Sequence, residues 1–233
     1  MQRVKQVKTA ALMLLALAVS ACSAEDRAVP EKTVRKLAGS PEAVNARQKS
    51  EARLREVVQA YVENTPLKLG LVVVSDSCWG GTARGWLETR DSDLYKISCG
   101  LNVTAYFGAD PKHIVSVLDG ILTAGDRNVS GIEFNHAAYG ALIDYYRKPY
   151  DKHNPEVPSR DAVTQSLKWD PVRDRQWKPD FISEPTGPCE NDPPVKRCLR
   201  EPSSATVAAI RKQYGMVFQL NLGENYFKIM KKR

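Results

Sequence analysis

The 233-residue sequence lacks most of the motifs by which enzymes are identified. It has three histidines, and it contains no GxSxG nucleophile elbow, HExxH zinc motif, P-loop, GxGxxG dinucleotide motif or SxxK pattern. It also has no CxxC pair, which zinc sites and thiol redox enzymes commonly use. We therefore predict neither a cofactor nor a metal, and an enzyme would need an unfamiliar catalytic site.

Long apolar runs and basic blocks are also missing. The main apolar run, residues 10–18, is well short of the ~20 residues that a membrane-spanning helix needs. The net charge of +7 is a mild excess, and no basic cluster is interleaved with aromatic residues. Nucleic acid is therefore not a predicted partner.

The N-terminal residues have the pattern of an export signal. Arg3, Lys5 and Lys8 form a positive start, and the short apolar run of leucine and alanine follows it. A signal of this kind predicts that the rest of the chain is exported from the cytoplasm.

The residues before Cys22 are Val19, Ser20 and Ala21. This stretch resembles the lipobox of bacterial lipoproteins, and the resemblance covers residues 1–22 only. It implies a diacylglyceryl group on the Cys22 thiol, removal of residues 1–21, and an anchor in the outer leaflet of the cell membrane, or in the outer membrane if the host has one. The alternatives are ordinary signal cleavage and an uncleaved anchor.

Four further cysteines agree with export: Cys78, Cys99, Cys189 and Cys198. An even number of cysteines outside the cytoplasm predicts two disulfides, although four cysteines allow three pairings. We favour Cys78–Cys99 and Cys189–Cys198, because each pair closes a short loop. A zinc site or a redox pair is the alternative.

The composition, with 42% hydrophobic and 26% charged residues, is that of a globular protein. We predict a flexible tether over residues 22–41 and a single domain over 42–233. Within that domain, residues 149–202 hold ten of the 14 prolines and are predicted to be irregular but packed.

The order of apolar patterns predicts an α+β fold, in which helices pack on a largely antiparallel sheet. Two of the predicted elements are hairpins. The expected elements are a helix over 41–65, a buried central strand over 67–76, a hairpin of 82–90 with 93–107, a helix over 110–125, a strand over 128–136, a helix over 137–148, a helix capped by Ser203 or Ser204, and a hairpin over 216–232 that turns at residues 223–225.

Four residues are candidate contact residues. Trp79 stands beside Cys78 and two glycines and could offer a stacking surface, although core packing is the alternative. Trp169 and Trp177 lie in the proline-rich segment. His136, with Asp144 or Asp151 as orienting group, would be the general base of an enzyme, and a polar residue at a strand end is the alternative.

These observations predict a lipid-anchored envelope lipoprotein whose body is a non-enzymatic binding module. Its partners would be the membrane, through the anchor, and a protein or an envelope glycan. One concrete form is an immunity protein that inhibits a toxin directed at the envelope. The alternatives are an envelope hydrolase with a site around His136, and an accessory factor in wall or secretion assembly.

Overall fold

The computed structural model describes residues 27–83, 90–127, 132, 136–149, 167–172, 181–185 and 194–231. Helices and strands alternate along these ranges. The helices are α1 (Glu31–Ala38), α2 (Pro41–Asn64), α3 (Asp91–Leu94), α4 (Ile114–Asp126), α5 (His136–Arg147) and α6 (Val207–Tyr214), with a 3₁₀ turn at Pro111–His113 before α4. The strands are β1 (Lys68–Gly80), β2 (Tyr95–Ala109), β3 (Leu167–Trp169), β4 (Val195–Glu201) and β5 (Met216–Met230).

The five strands form one sheet in the order β3-β5-β2-β1-β4, and every pair is antiparallel. The predicted α+β fold with an antiparallel sheet is therefore confirmed. Strand β2 is central and pairs along its length with β1 on one side and β5 on the other. The three-residue β3 and the seven-residue β4 are the outer strands of the described sheet.

One face of the sheet is covered by helices α2, α4 and α5, and we call it the helix face. Odd-numbered residues of β2, such as Leu101, Val103 and Phe107, are fully buried there. The helices contribute apolar stripes that repeat at helical spacing, as the sequence predicts. These stripes are Leu54, Val58 and Tyr61 of α2; Ile114, Val117, Leu118 and Ile121 of α4; and Leu142, Ile143 and Tyr146 of α5.

The opposite face is covered at one end by α6. Leu71 and Val73 of β1 are buried against Val207 and Ile210 of that helix, while Val72 and Val74 belong to the helix face. The predicted strand, buried on both faces, is thus confirmed, and it lies next to the central β2. Most of the other described side chains on the opposite face are polar.

The buried carboxylate of Asp170 holds the segment after β3 onto this end. It accepts hydrogen bonds from the backbone N–H groups of Ile182 and Val217, both at 2.9 Å. It also accepts two from Arg211 of α6, at 2.8 and 3.0 Å. The hydrogen bond to Asp170 raises the pKa of the Arg211 guanidinium above its usual value.

Charged side chains join α2 to the outer strand β4. Glu51 accepts hydrogen bonds from Arg197 at 2.7 Å and from Arg55 at 3.0 Å, and Arg55 also binds Glu201 at 2.7 Å. Burial works to raise the pKa of Glu51, but the hydrogen bonds from both arginines hold it below its usual value. This network fixes the long helix over the edge of the sheet.

Helix α2 begins and ends close to the predicted positions. Ser40 caps it by accepting a hydrogen bond from the Ala43 N–H, and Pro41 occupies the first turn. Helix α4 runs through Gly125, where we predicted its end, and Asp110 caps the turn before it as expected. The predicted serine cap of the last helix is wrong, because Thr206 accepts the hydrogen bond from Ala209.

The predicted hairpin over 216–232 is wrong. Residues 216–230 form one continuous strand, because the equally long β2 pairs with it from end to end and the predicted turn residues lie within the ladder. The predicted partner of β2 at 82–90 lies mostly outside the described residues, and the described partners of β2 are β1 and β5. The predicted strand at 128–136 falls almost entirely outside the described residues.

The predicted flexible tether over 22–41 is wrong from Val29 onward. Residues 31–38 form α1, and Val34 on this helix is fully buried against Cys78, Ile97 and Cys99. The Val29 N–H also donates to the Gly81 carbonyl at 2.8 Å. The chain is therefore fastened to the end of the sheet within a few residues of position 27.

Candidate functional site

The part of the opposite face that α6 does not cover carries polar side chains in rows across four strands. The registers place Cys198, Ser75, Asn102 and Gly223 in one row. The next row is Lys196, Ser77, Gly100 and Asn225. Because side chains alternate along a strand, these residues share one face, and their apolar neighbours share the helix face.

A groove of about 280 Å³ opens in the middle of these rows, between β2 and β5. We call it the sheet groove, and it is lined by Gly100, Leu101, Asn102, Gly223, Glu224 and Asn225. The two glycines create it, since a Cβ at Gly223 would stand 2.6 Å from the Asn102 Oδ1 and one at Gly100 would stand 3.1 Å from the Asn225 Oδ1. Amide groups and accessible backbone therefore form its surface.

The carboxylate of Glu224 is not available for chemistry in this groove. Its side chain forms an ion pair with Arg53 of α2, on the helix face. The other side chains that line the groove are two asparagines and a fully buried leucine. Such a surface can donate and accept hydrogen bonds, but its lining residues include no nucleophile and no general base.

A bulge lies beside the groove and buries a polar pair on the helix face. The register skips Tyr226 between Phe227 and Asn225, and the Tyr226 hydroxyl donates to the Asp76 Oδ1 at 2.7 Å. Burial and this hydrogen bond raise the pKa of Tyr226 above its usual value. Arg47 stands 3.5 Å from the same carboxylate. The pair thus fixes the bulge that shapes the groove.

Trp79 lies at the end of β1, in the row next to the one that holds Gly100. Its side chain is 43% exposed, so the alternative of core packing is wrong and the residue is available for contact. In the same row stand Ser98 and Lys228, opposite each other on β2 and β5.

Trp169 is a core residue, which contradicts its prediction as a contact residue. It is 2% exposed, its Nε1 donates to the Tyr146 hydroxyl at 3.3 Å, and its ring stacks on Phe218 at 5.6 Å. A tryptophan in a proline-rich segment thus anchors that segment at β3. Trp177, the other tryptophan predicted there, lies outside the described residues.

The predicted Cys78–Cys99 disulfide is confirmed. The two cysteines are directly opposite each other on β1 and β2, with Cα atoms 4.1 Å apart, and both are buried. Cys198 is also disulfide-bonded. Its predicted partner Cys189 lies outside the described residues, as does Cys22.

His136 is the first residue of α5 and not the end of a strand. Asp144, one of its predicted orienting groups, is eight residues further along the same helix, about 12 Å along the axis. Asp151 falls in the part of the chain that the structure does not describe. A catalytic role of His136 stays a prediction.

The residues that line the sheet groove were not among the sequence predictions. Residues 223–225 were interpreted as a turn, because Gly and Asn favour turns. A usable signal lay in β2, where Ser98, Gly100, Asn102 and Thr104 alternate with apolar residues. That period of two predicts one polar face, but only the pairing of β2 with β5 shows where the groove lies.

The ranges described contain neither a cluster of metal ligands nor a membrane-spanning helix. No three His, Cys, Asp or Glu side chains there come together as metal ligands. Among the helices of these ranges, none combines the length and the apolarity required to cross a bilayer. Comparisons of the chain with protein-family models, with curated proteins and with solved structures give no match.

Proposed function

We propose that this chain is a bacterial envelope lipoprotein whose folded body is a non-enzymatic binding module. The lipobox-like sequence before Cys22 supports the lipid anchor. A disulfide between neighbouring strands suits a protein that folds in an oxidising compartment. The proposed body is a rigid sheet that is held at the membrane by its N terminus.

The sheet groove is the observation that carries the binding role. Its volume of about 280 Å³ is at the lower limit of small-molecule pockets, which are usually apolar, whereas this groove is polar. A shallow surface of amides and backbone matches an extended partner that supplies its own hydrogen bonds, such as a protein surface. An immunity protein against an envelope-directed toxin is the concrete form that we propose.

A pull-down tests the binding role. The full chain serves as bait in envelope extract and in secreted fractions of competing strains, and mass spectrometry identifies what is retained. Asn225→Arg places a long charged side chain in the groove, where residue 225 is exposed. Gln213→Arg adds the same charge on the exposed surface of α6 and is the matched control.

We expect one protein to be retained by the wild type and by Gln213→Arg, and to be lost with Asn225→Arg. Retention of a partner that is indifferent to Asn225→Arg would place binding elsewhere on the molecule. Retention of glycan only, measured by sugar analysis of the eluate, would replace the protein partner by an envelope polymer.

A further inference from the structure

Exposed apolar side chains are concentrated at one end of the sheet. The described ranges contain five large apolar residues that are exposed. Three of them are at this end: Trp79 lies near the end of β1, Leu94 lies just before β2, and Met230 is the last residue of β5. Their exposed fractions are 43%, 43% and 51%.

These three residues belong to one continuous piece of structure. Met230 is opposite Tyr95, and the N–H of the next residue, Lys231, donates to the Leu94 carbonyl at 2.9 Å. At strand spacings of 4.8 Å and 3.3 Å per residue, Trp79 is about 15 Å from the other two. We call this area the strand-end surface.

Positive charge surrounds the strand-end surface. The described acids of this region are Asp91, which binds Lys228 at 3.0 Å, the buried Asp93, and Glu31 of α1, which binds Arg35. The Lys228 ammonium also lies 5.1 Å from the centre of the Tyr95 ring. The cations are more numerous than these acids: Arg27, Arg90, Lys96, Lys228 and Lys231.

The chain enters the fold at the same end. The Arg27 carbonyl accepts a hydrogen bond from the Lys231 ammonium at 3.3 Å, and Val29 is bonded to Gly81 next to the end of β1. Only five residue steps separate Arg27 from Cys22. A fully extended chain covers at most about 18 Å in five steps, which is less than the width of a small domain.

We propose that the strand-end surface rests on the anionic surface of the membrane that holds the lipid anchor. The inference rests on the proposed lipidation of Cys22. With that lipid in the bilayer, the link from Cys22 to Arg27 is too short to hold the folded body away from the membrane. Tryptophan and tyrosine favour the membrane interface, and lysines attract anionic headgroups. Trp79 is thereby assigned to lipid contact, and the sheet groove, which begins in the next row of the same face, remains the proposed partner site.

The test uses the full chain, purified in detergent and reconstituted into vesicles of phosphatidylethanolamine and phosphatidylglycerol with brominated acyl chains. Bromine quenches tryptophan fluorescence only at close range, so the bromine-dependent quenching reports contact. Intact-mass analysis of the same sample reports the lipid on Cys22. The variants are Trp79→Phe and the double variant Leu94→Glu with Met230→Glu, which replaces apolar side chains by negative charges that an anionic bilayer repels.

Leu69→Glu is the matched control, because Leu69 is 39% exposed at the opposite end of β1. We expect quenching to fall at least twofold in Trp79→Phe and in the double variant, and to stay unchanged in the control. Raising salt from 0.1 to 1 M shortens the screening length from about 10 to 3 Å and should also reduce quenching.

The outcomes separate the two proposals. A lipidated protein whose quenching is the same in all variants overturns the docking surface and leaves the proposed anchor intact. A protein whose mass shows no lipid at Cys22 overturns the anchor and, with it, the docking that depends on the short link.

Discussion

Asp170 is the residue on which the packing of the segment after β3 depends most. Its carboxylate is 1% exposed and has four hydrogen-bond donors. Asp170→Ala leaves two backbone N–H groups and a guanidinium without their acceptor, so we expect a loss of about 3–5 kcal/mol in the free energy of unfolding. Urea denaturation at pH 7 measures it. Asp91→Ala, which breaks the exposed pair with Lys228, should cost less than about 1 kcal/mol.

Tyr226 makes stability depend on pH in the alkaline range. Folding raises its pKa above the unfolded value near 10, so the folded chain holds this proton longer than the unfolded chain does. Stability from this group is complete below pH 10 and is lost as pH rises above it. We expect Tyr226→Phe to cost about 1–3 kcal/mol at pH 7, because Asp76 loses a donor.

Between pH 9 and pH 11, the free energy of unfolding should fall less for Tyr226→Phe than for the wild type. Chemical denaturation at both pH values gives the slope of this free energy against pH for each protein. Equal slopes would show that Tyr226 does not titrate in the way its surroundings imply. Tyr106, whose pKa is also raised by burial, remains in both proteins and does not affect the difference.

At the scale of elements, the disulfide joins the two strands that carry the polar rows. The cysteines are 21 residues apart, and closing a loop of that length stabilises the fold by about 3 kcal/mol in the loop-entropy account. We expect the double variant Cys78→Ala with Cys99→Ala to lose that amount in urea denaturation. Reductant added to the folded wild type should leave the bond intact for hours, because both sulfur atoms are buried beneath α1.

Helix α1 is held by a single buried valine, and this makes its docking testable. Val34→Asp puts a charge into an apolar site, so we expect α1 to detach while β1 and β2 stay folded. Hydrogen exchange of residues 31–38 should become fast, with little change in 97–105. Lys32→Asp makes the same substitution on the exposed side of α1 and should leave exchange unchanged.

The elements that could be predicted from the sequence are those with a strong local period. Helix α2, the start of α4 and the buried β1 have apolar spacings that only one secondary structure satisfies. Strand β5 was missed because Gly223 and Asn225 resemble a turn until the long partner β2 is known. Helix α1 was missed because Val34 alone gives no period, and its burial depends on the remote Cys78 and Cys99.

At the scale of the whole molecule, the short link between Cys22 and Arg27 should control orientation. Inserting twenty Gly/Ser residues after Asp26 adds a mean reach of about 25 Å. We expect bromine-dependent quenching to fall, because the local concentration of the strand-end surface at the bilayer drops. An equally long insertion after the exposed Ser203, at the other end of the sheet, is the control. Unchanged quenching after the first insertion would mean that the contact is independent of the link.

The borders of the sheet have a consequence for many copies on one bilayer. A long unpaired edge strand would allow the next copy to pair its own edge strand with it, so that the sheet extends from molecule to molecule. In the described sheet one edge strand is only Leu167–Trp169, and the other carries Lys196, Arg197 and Arg200, of which Arg197 binds Glu51 and Arg200 binds Glu184. A short edge strand and an edge strand with charged side chains both disfavour pairing with a neighbouring copy, so each molecule can stay dispersed at high surface density.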